Sequence, residues 1–471
     1  MSVINTNVSS LIAQNALNKN QQSENTSLER LSTGLKINSG KDDPAGLIAS
    51  QNLQAEQTGI NTAISNAQAA NNILGTAEGG LNEVSSLLTE LQGLVSQSAN
   101  TGGLSSDEVS ANQLQVDSIL STINRIAQST SFEGTKLLDG NFDYSTSSVG
   151  TSAISDLQVN SASVPDGGKV SVVVQVTNSA QTAALSYTGG TVTGKTVTLQ
   201  IAGNLGSTQL SFASGTTVSS IVTAINGVTN QTGVSATVTG TGHFAMDSTQ
   251  YGSSQFVSLK AISGNFTVPG SGITYGRDAA VTINGAAAET QGLSVDYDSA
   301  QLNLNFNIDK AANFNNASKT FAITGGGATF ALGAQVDEGD KASIGITSVS
   351  TGSLGSSANG YLNSLGSGGA NSLSSGNLVN AQNILSAAIG QVSDLRGRIG
   401  AFQDYTIGST VNSLSVAYEN VSSAESSITD TDFAAETSNL TRDQILTQAA
   451  ETVLSQANSR PQSVLTLLQN S

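Results

Sequence analysis

The sequence has no cysteine, no tryptophan, one histidine and four prolines in 471 residues, and only 11% of its residues are charged. Without cysteine there is no disulfide, no thiolate metal site and no thiol nucleophile. The lone His243 supplies neither a His-based metal site nor an easy Ser/His/Asp triad, and its setting, Gly240-Thr241-Gly242-His243-Phe244, is that of a surface turn. The patterns His-Glu-x-x-His and G-x-x-x-x-G-K-[ST] are absent, so neither a zinc protease nor a phosphate cradle is expected. Asp337-Glu338-Gly339-Asp340 and Asp296-Tyr297-Asp298 gather carboxylates without the spacing of a calcium loop and read as solvated turns. No catalytic, cofactor-binding or metal-ligating residue is assigned, and the chain reads as a non-enzyme.

Aromatic residues make up 4%, so the cores must be built from Leu, Ile, Val and Ala through long repetitive contacts. No run of about 18 apolar residues occurs, and no membrane span is expected. Acidic residues outnumber basic ones 34 to 17, a net charge of −17 that repels phosphate backbones and anionic lipid. Nucleic acid and membrane are therefore not expected partners. The opening segment, MSVINTNVSSLIAQNALNKN, has no basic start, apolar stretch or A-x-A site, so a cleaved secretory signal is not expected.

What is present falls into three zones, with composition changing near residues 140 and 370. The outer zones carry Ala, Leu, Gln, Asn and Ser at helical spacing, and the middle carries Gly, Thr, Val and Ser in short alternating runs. Asp43-Pro44 reads as a helix start, with Asp as N-cap and Pro in the first turn. Ile60, Ile64, Ala67, Leu74, Ala77, Leu81, Val84, Leu88, Leu91 and Val95 then step by three and four, broken at Asn71. From Ile60 to Asn100 such a helix reaches on the order of 60 Å, with a bend expected at Gly79-Gly80.

Ser105 and Glu108 form a capping-box pattern ahead of Val116, Ile119, Ile123 and Ile126. Near the C-terminus, Leu385, Ile389, Val392, Leu395, Ile399 and Phe402 make one seam. Ile407, Val411, Leu414, Tyr418 and Val421 make another in shifted phase, and Asp432 caps a last helix with Leu446, Ala450, Val453, Ala457, Val464 and Leu467. The seams fit either a bundle core within one molecule or contacts between molecules. The terminal helices are poor in large residues and are expected to gain order from neighbours. Strands are expected at Val170–Val176, Thr196–Ile201, Val234–Val238, Ala280–Ile283, Leu302–Phe306 and Thr320–Ile323, with a short helix at Ser219–Val228.

Several of these segments resemble bacterial flagellin. At the N-terminal end they are Val3-Ile4-Asn5-Thr6-Asn7, Glu29 through Asn38, Lys41-Asp42-Asp43, Gln97-Ser98-Ala99-Asn100 and Phe132 through Gly140. At the C-terminal end they are Ala424-Glu425-Ser426, Asp430 through Ala434, Gln456-Ala457-Asn458 and Pro461 through Leu465. The resemblance covers roughly half the chain, and Thr196–Asn226 looks like an insertion motif of some flagellins.

The resemblance implies an α+β fold in which both chain ends form an antiparallel long-helix rod and a terminal coiled coil, with a β-rich central insertion projecting outward. Its implied divisions are 1–42 with 435–471 for polymerisation, 43–140 with 370–434 for the rod, and 141–369 for the outer region. It implies a structural subunit that self-assembles into the flagellar filament, extracellular and exported without a cleaved signal peptide. Implied partners are many copies of itself, hook-junction proteins, the filament cap and an export chaperone. A hook–filament junction protein, or a filament subunit whose outer region is also an adhesin, stands as the alternative. The polymerisation seams are placed on Ile4, Val8, Leu11, Leu28, Leu31, Leu35, Leu446, Val453, Val464, Leu467 and Leu468. Flagellins sensed by the animal flagellin-binding Toll-like receptor typically have Arg where this chain has Glu90 and Glu near Gln115, so weak activation of that innate receptor is expected. Dense Ser and Thr on turns would permit O-glycosylation.

Overall fold

The computed structural model describes residues 6–469 except 101, 102, 104, 151, 166, 190–194, 269–271 and 300, and of 461–469 the backbone alone. The chain divides into two compact units. One comprises the residues up to Gln68, Ala331–Asp340 and Gly408 onward; the other comprises Ala69–Phe330 and Lys341–Ile407.

The helices are α1 (Val8–Thr33), α2 (Pro44–Ser98), α3 (Ser106–Ser129), α4 (Val218–Gly227), α5 (Thr229–Thr232), α6 (Leu378–Ala401), α7 (Ser409–Thr429) and α8 (Phe433–Gln469). Helix α1 ends at Gly34, whose φ of +74° is a left-handed stop that L side chains resist. The loop that follows is closed by Asp42, whose Oδ2 accepts from Ser39 N at 2.8 Å and Asn38 N at 3.2 Å. Asp43 caps α2 as its sequence suggests, Oδ1 accepting from Ala45 N at 3.1 Å and Gly46 N at 2.9 Å.

Helix α2 is 55 residues long and buries one stripe. Ile60, Ala63, Ala67, Ala70, Leu74, Ala77, Leu81, Val84, Leu88, Leu91 and Val95 follow a strict three-four spacing, and none is more than 2% exposed. Ala63 and Ala70 take places that the sequence pattern assigned to Ile64 and the break at Asn71, because alanine lets neighbours approach closely. The expected bend at Gly79-Gly80 does not interrupt the helix. A Cβ on Gly80 would lie 2.8 Å from Leu138 Cδ1 and Thr130 Oγ1, so that glycine admits a close packing contact rather than a bend.

The capping box of α3 is formed, with Glu108 N donating to Ser105 Oγ at 3.3 Å and Ser105 N to Glu108 Oε2 at 2.7 Å. Ser105→Ala is expected to lower stability by about 1 kcal/mol, read as an earlier midpoint in chemical denaturation. An unchanged midpoint would show that the cap contributes nothing net. Helix α6 is followed by a π-helical segment, Phe402–Gly408. Its extra residue per turn rotates the apolar stripe, which is why the seam of α7 runs out of phase with that of α6.

The β region holds two separate cores. In the first, strands β1 (Tyr144–Ser147), β2 (Ile154–Ala162) and β3 (Val170–Asn178) join strands that return much later in the chain. Between them lie β4 (Thr182–Tyr187), β5 (Val197–Gly203), β6 (Gly206–Phe212), β7 (Val234–Gly240), β8 (His243–Tyr251), β9 (Phe256–Ser263) and β10 (Ile273–Tyr275). The returning strands are β11 (Ala280–Ile283), β12 (Ala286–Ala287), β13 (Glu289–Gln291), β14 (Ser294–Ser299), β15 (Leu302–Ile308) and β16 (Ser318–Gly326). Sheets β12-β11-β3-β16-β1 and β13-β14-β15-β2 enclose Val172, Val174, Ile283, Leu304, Phe306 and Phe321. Sheets β4-β8-β7 and β10-β9-β5-β6, with α4, enclose Leu199, Ile201, Ile221, Phe244, Met246 and Leu259. The second core is nested within the first. Gln181 N donates to Arg277 O at 2.8 Å and Arg277 N to Gln181 O at 3.0 Å, so the chain enters and leaves the nested module at one point.

Candidate functional site

No acidic or histidine cluster that could hold a metal ion occurs among the described residues. Among those residues, no helix is long and apolar enough to cross a membrane. The feature that stands out is a helical surface in the unit containing both chain ends. There α1 and α8 pair antiparallel. Asn7 Nδ2 donates to Ala457 O at 2.8 Å, Ser10 Oγ to Asn458 Oδ1 at 2.6 Å, and Thr447 Oγ1 to Glu24 Oε2 at 3.4 Å.

The facing stripes have heptad spacing but the wrong chemistry for a strong dry seam. On α1 the stripe is Ser10, Ala13, Leu17, Asn20, Glu24, Ser27 and Leu31; of these only Ala13 and Ser27 are fully buried. On α8 it is Glu436, Leu440, Asp443, Thr447, Ala450, Leu454 and Ala457, of which Glu436, Asp443, Ala450 and Ala457 are buried. Small and polar side chains pack closely and release little hydrophobic free energy. Electrostatic closure is also incomplete. Arg30 Nη1 stands 3.9 Å from Glu436 Oε2, and the buried Arg30 Nε has no hydrogen-bond partner.

Besides the half-buried Leu17, Leu31, Leu440 and Leu454 of the stripes, the large aliphatic residues of these helices point elsewhere. Leu11 is 51% exposed, Ile12 64%, Ile445 61% and Val453 58%, and Val8, Leu28, Leu35 and Leu446 are exposed as well. Of the seam residues expected from sequence, Val8, Leu11, Leu28, Leu446 and Val453 thus lie on the open faces, Leu31 is half-buried, and Leu35 is exposed just past the end of α1. Ile4 lies outside the described residues, as do the side chains of Val464, Leu467 and Leu468. Ile12 and Ile445 join the open faces although sequence reasoning passed over them. Each neighbours a chosen seam residue, and only the alanine and serine spacing at Ala13, Ser27, Ala450 and Ala457 reveals which face is internal.

Helix α7 has no fully buried residue. Gln57 Nε2 on α2 donates to Glu425 Oε2 on α7 at 2.8 Å, and Lys36 N, after α1, donates to Thr429 O at 2.6 Å. In the other unit, Glu90 and Gln115 are both exposed, while nearby Leu94 is buried. His243 opens β8 on the surface, as its turn setting suggests.

The arrangement is an internal contact made largely of small and polar side chains, with several large aliphatic side chains left exposed. Comparison with known proteins bears on the same segments. Residues 4–143 match the profile of the bacterial flagellin N-terminal helical region, 382–468 that of the C-terminal helical region, and 198–250 the flagellin hook IN motif. Flagellin A of Vibrio cholerae serotype O1 is 31% identical over 479 residues, covering 99% of both chains. A flagellin of Salmonella rubislaw is 32% identical over 506 residues, again covering 99% of both. A solved FliC structure from Burkholderia pseudomallei is 16% identical, covers 71% of this chain and 99% of its own, and superposes with a TM-score of 0.23.

Proposed function

Because the chain belongs to the bacterial flagellin family and is a structural subunit of the flagellar filament, we propose that the open aliphatic faces of α1 and α8 are its polymerisation surfaces. The observation that carries this is the division of faces: the fully buried residues inside the pair are all small or polar, and Val8, Leu11, Ile12, Leu446 and Val453 lie outside. Side chains of this size release about 1.5 to 3 kcal/mol each when fully buried, and ordering backbone costs about 1 to 2 kcal/mol per residue. Within one molecule these side chains stay exposed and do little to offset that cost. Assembly then requires several neighbours at once, which favours growth at a filament end over free oligomers. A contact between unlike faces that does not close produces a helix rather than a ring.

Residues 1–42 with 435–471 would form the polymerisation part, 43–140 with 370–434 the rod, and 141–369 the outer part. Export without a cleaved signal, chaperone binding to the C-terminal helix, and contact with hook-junction and cap proteins complete this reading. Relatives over the full length are flagellins, so the junction-protein and adhesin alternatives are not favoured. Electron microscopy of purified protein with filament seeds tests the assignment. Full-length chain is expected to extend the seeds and chain lacking 1–42 and 435–471 is not; extension by the truncated chain would overturn it.

The receptor expectation follows from Glu90 and Gln115. Arg is a favoured interface anchor, and an exposed Glu in its place reverses the charge. Purified monomer is expected to stimulate a receptor reporter far less than an agonist flagellin does. An equal response would refute the expectation.

A further inference from the structure

The nested module touches the first β core at more than the crossing of Gln181 and Arg277. Two chain segments that cross side by side make a hinge, and bodies joined by so small a connection usually move relative to one another. Here a further segment of the module is held. Tyr251, the last residue of β8, packs against the first core, and Lys310 Nζ stands 5.9 Å from its ring centroid. The loop that follows, Gly252-Ser253, meets Asp278 and also Gly292, which lies in the turn between β13 and β14.

Asp278 binds both sides of this contact. Its Oδ1 accepts from Ser253 N of the module at 2.9 Å and from Gly292 N of the neighbouring turn at 2.7 Å, and its Oδ2 accepts from Ser253 Oγ. Hydrogen bonds to an ionised carboxylate are stronger than those between neutral groups. Gly252 N also donates to Gln181 O at 3.2 Å, which ties the loop to the crossing itself. The backbones meet where no side chain fits. A Cβ on Gly292 would lie 2.6 Å from Tyr251 O, and one on Gly252 would lie 3.0 Å from Gly292 Cα. Close-packed contacts of this kind do not slide; they either hold or part.

We propose that Asp278 and Gly292 clasp the Tyr251-Gly252-Ser253 loop and so fix the angle at which the nested module stands on the first β core. With the clasp broken, the module keeps its own core around Phe244 and Leu259 and swings about the Gln181 and Arg277 crossing. Asp278 is then a positioning residue: neither β core needs it to fold, and their mutual orientation does.

Pulsed electron paramagnetic resonance on the full-length monomer tests the clasp. Since the chain has no cysteine, Ser219→Cys on α4 and Ser171→Cys on β3 give two unique spin labels at exposed positions, one on each body. The otherwise wild-type chain is expected to give one narrow distance peak. Asp278→Ala and Gly292→Ala are each expected to lose that peak to a broad distribution. Asp278→Asn keeps an acceptor oxygen for Ser253 N and Gly292 N and is expected to retain it. Gly285→Ala, which puts a Cβ at a φ of +87° with nothing within 4 Å, is expected to retain it too, which separates the clasp from backbone strain alone. Hydrogen exchange around Phe244 and Leu259 is expected to be as slow in Asp278→Ala as in the wild type. A narrow peak in Asp278→Ala or Gly292→Ala, or a wild-type distribution as broad as theirs, overturns the proposal. So does fast exchange around Phe244 and Leu259 in Asp278→Ala, because Asp278 would then hold the module's fold rather than its angle.

Discussion

Leu11→Asp together with Ile12→Asp is expected to leave the monomer folded and to stop seeded filament growth. Both side chains are more than half exposed in the single chain, so their replacement removes little intramolecular packing. Surface substitutions of this kind usually shift stability by no more than about 0.5 kcal/mol. In the filament the same positions would place two carboxylates where two aliphatic side chains should be buried. Loss of roughly 3 kcal/mol or more per subunit corresponds to a critical concentration raised by at least about 100-fold. Sedimentation of seeded protein across a concentration series reads this directly. Ala13→Leu makes the informative contrast, because it forces a large side chain into the face that α1 shares with α8. That variant is expected to lose helicity as a monomer, whereas the double aspartate is not. If the double aspartate polymerises at the wild-type concentration, the open face of α1 is not an assembly surface.

Excision of residues 182–276, with Gln181 joined to Arg277 by two glycines, is expected to leave a folded chain that still forms filaments. Gln181 and Arg277 face each other as an antiparallel bridge, so their Cα atoms lie about 5 Å apart and a short linker spans them. The sheets on either side keep their pairing, since β3 pairs with β11 and β16 rather than with any strand of the nested module. The module carries its own core around Phe244, Met246 and Leu259, so its removal exposes little of the other. Asp278 loses two of its three ties, both from Ser253. Burial alone would raise its pKa, but hydrogen bonds from Ser253 Oγ, Gly292 N and Ser253 N together hold it below the ordinary value. The bond from Gly292 N, at 2.7 Å, survives the excision. Circular dichroism and electron microscopy of the excised chain check the expectation. An unfolded or aggregated product would mean that the two β cores stabilise each other.

Much of this fold could be read from the chain because local patterns and tertiary packing agree in it. All six expected strands are present, as in Leu302–Ile308, where strict alternation of apolar and asparagine residues leaves one face to bury. The phase shift between the seams of α6 and α7 was visible as spacing, although its cause, the π-helical segment, is not a local propensity. Segment Ala331–Asp340 was not legible. It joins the unit of the chain ends, where a Cβ on Gly59 would lie 2.4 Å from Ala334 O. Nothing local distinguishes that glycine from one that merely weakens a helix.

The proposed assembly surface was legible only in part, for a related reason. Apolar spacing locates a stripe but does not say which molecule covers it. Val8, Leu11 and Val453 are apolar positions, and whether they face a partner helix or the open surface depends on Ala13, Ser27, Ala450 and Ala457. Those four lie a heptad or two apart on their helices, and small residues at that spacing are easily passed over when a seam is sought among large ones.

The central claim is that α1 and α8 are weakly held in the monomer and become buried by neighbours in the filament. Hydrogen–deuterium exchange of the same full-length protein in both states tests it most directly. Amides of Val8–Thr33 and Phe433–Arg460 are expected to exchange rapidly in the monomer and to slow by several orders of magnitude in the filament. Those of the α2 stripe from Leu74 to Val95, already buried within one chain, are expected to change little. Equal protection of α1 and α8 in monomer and filament would contradict the account.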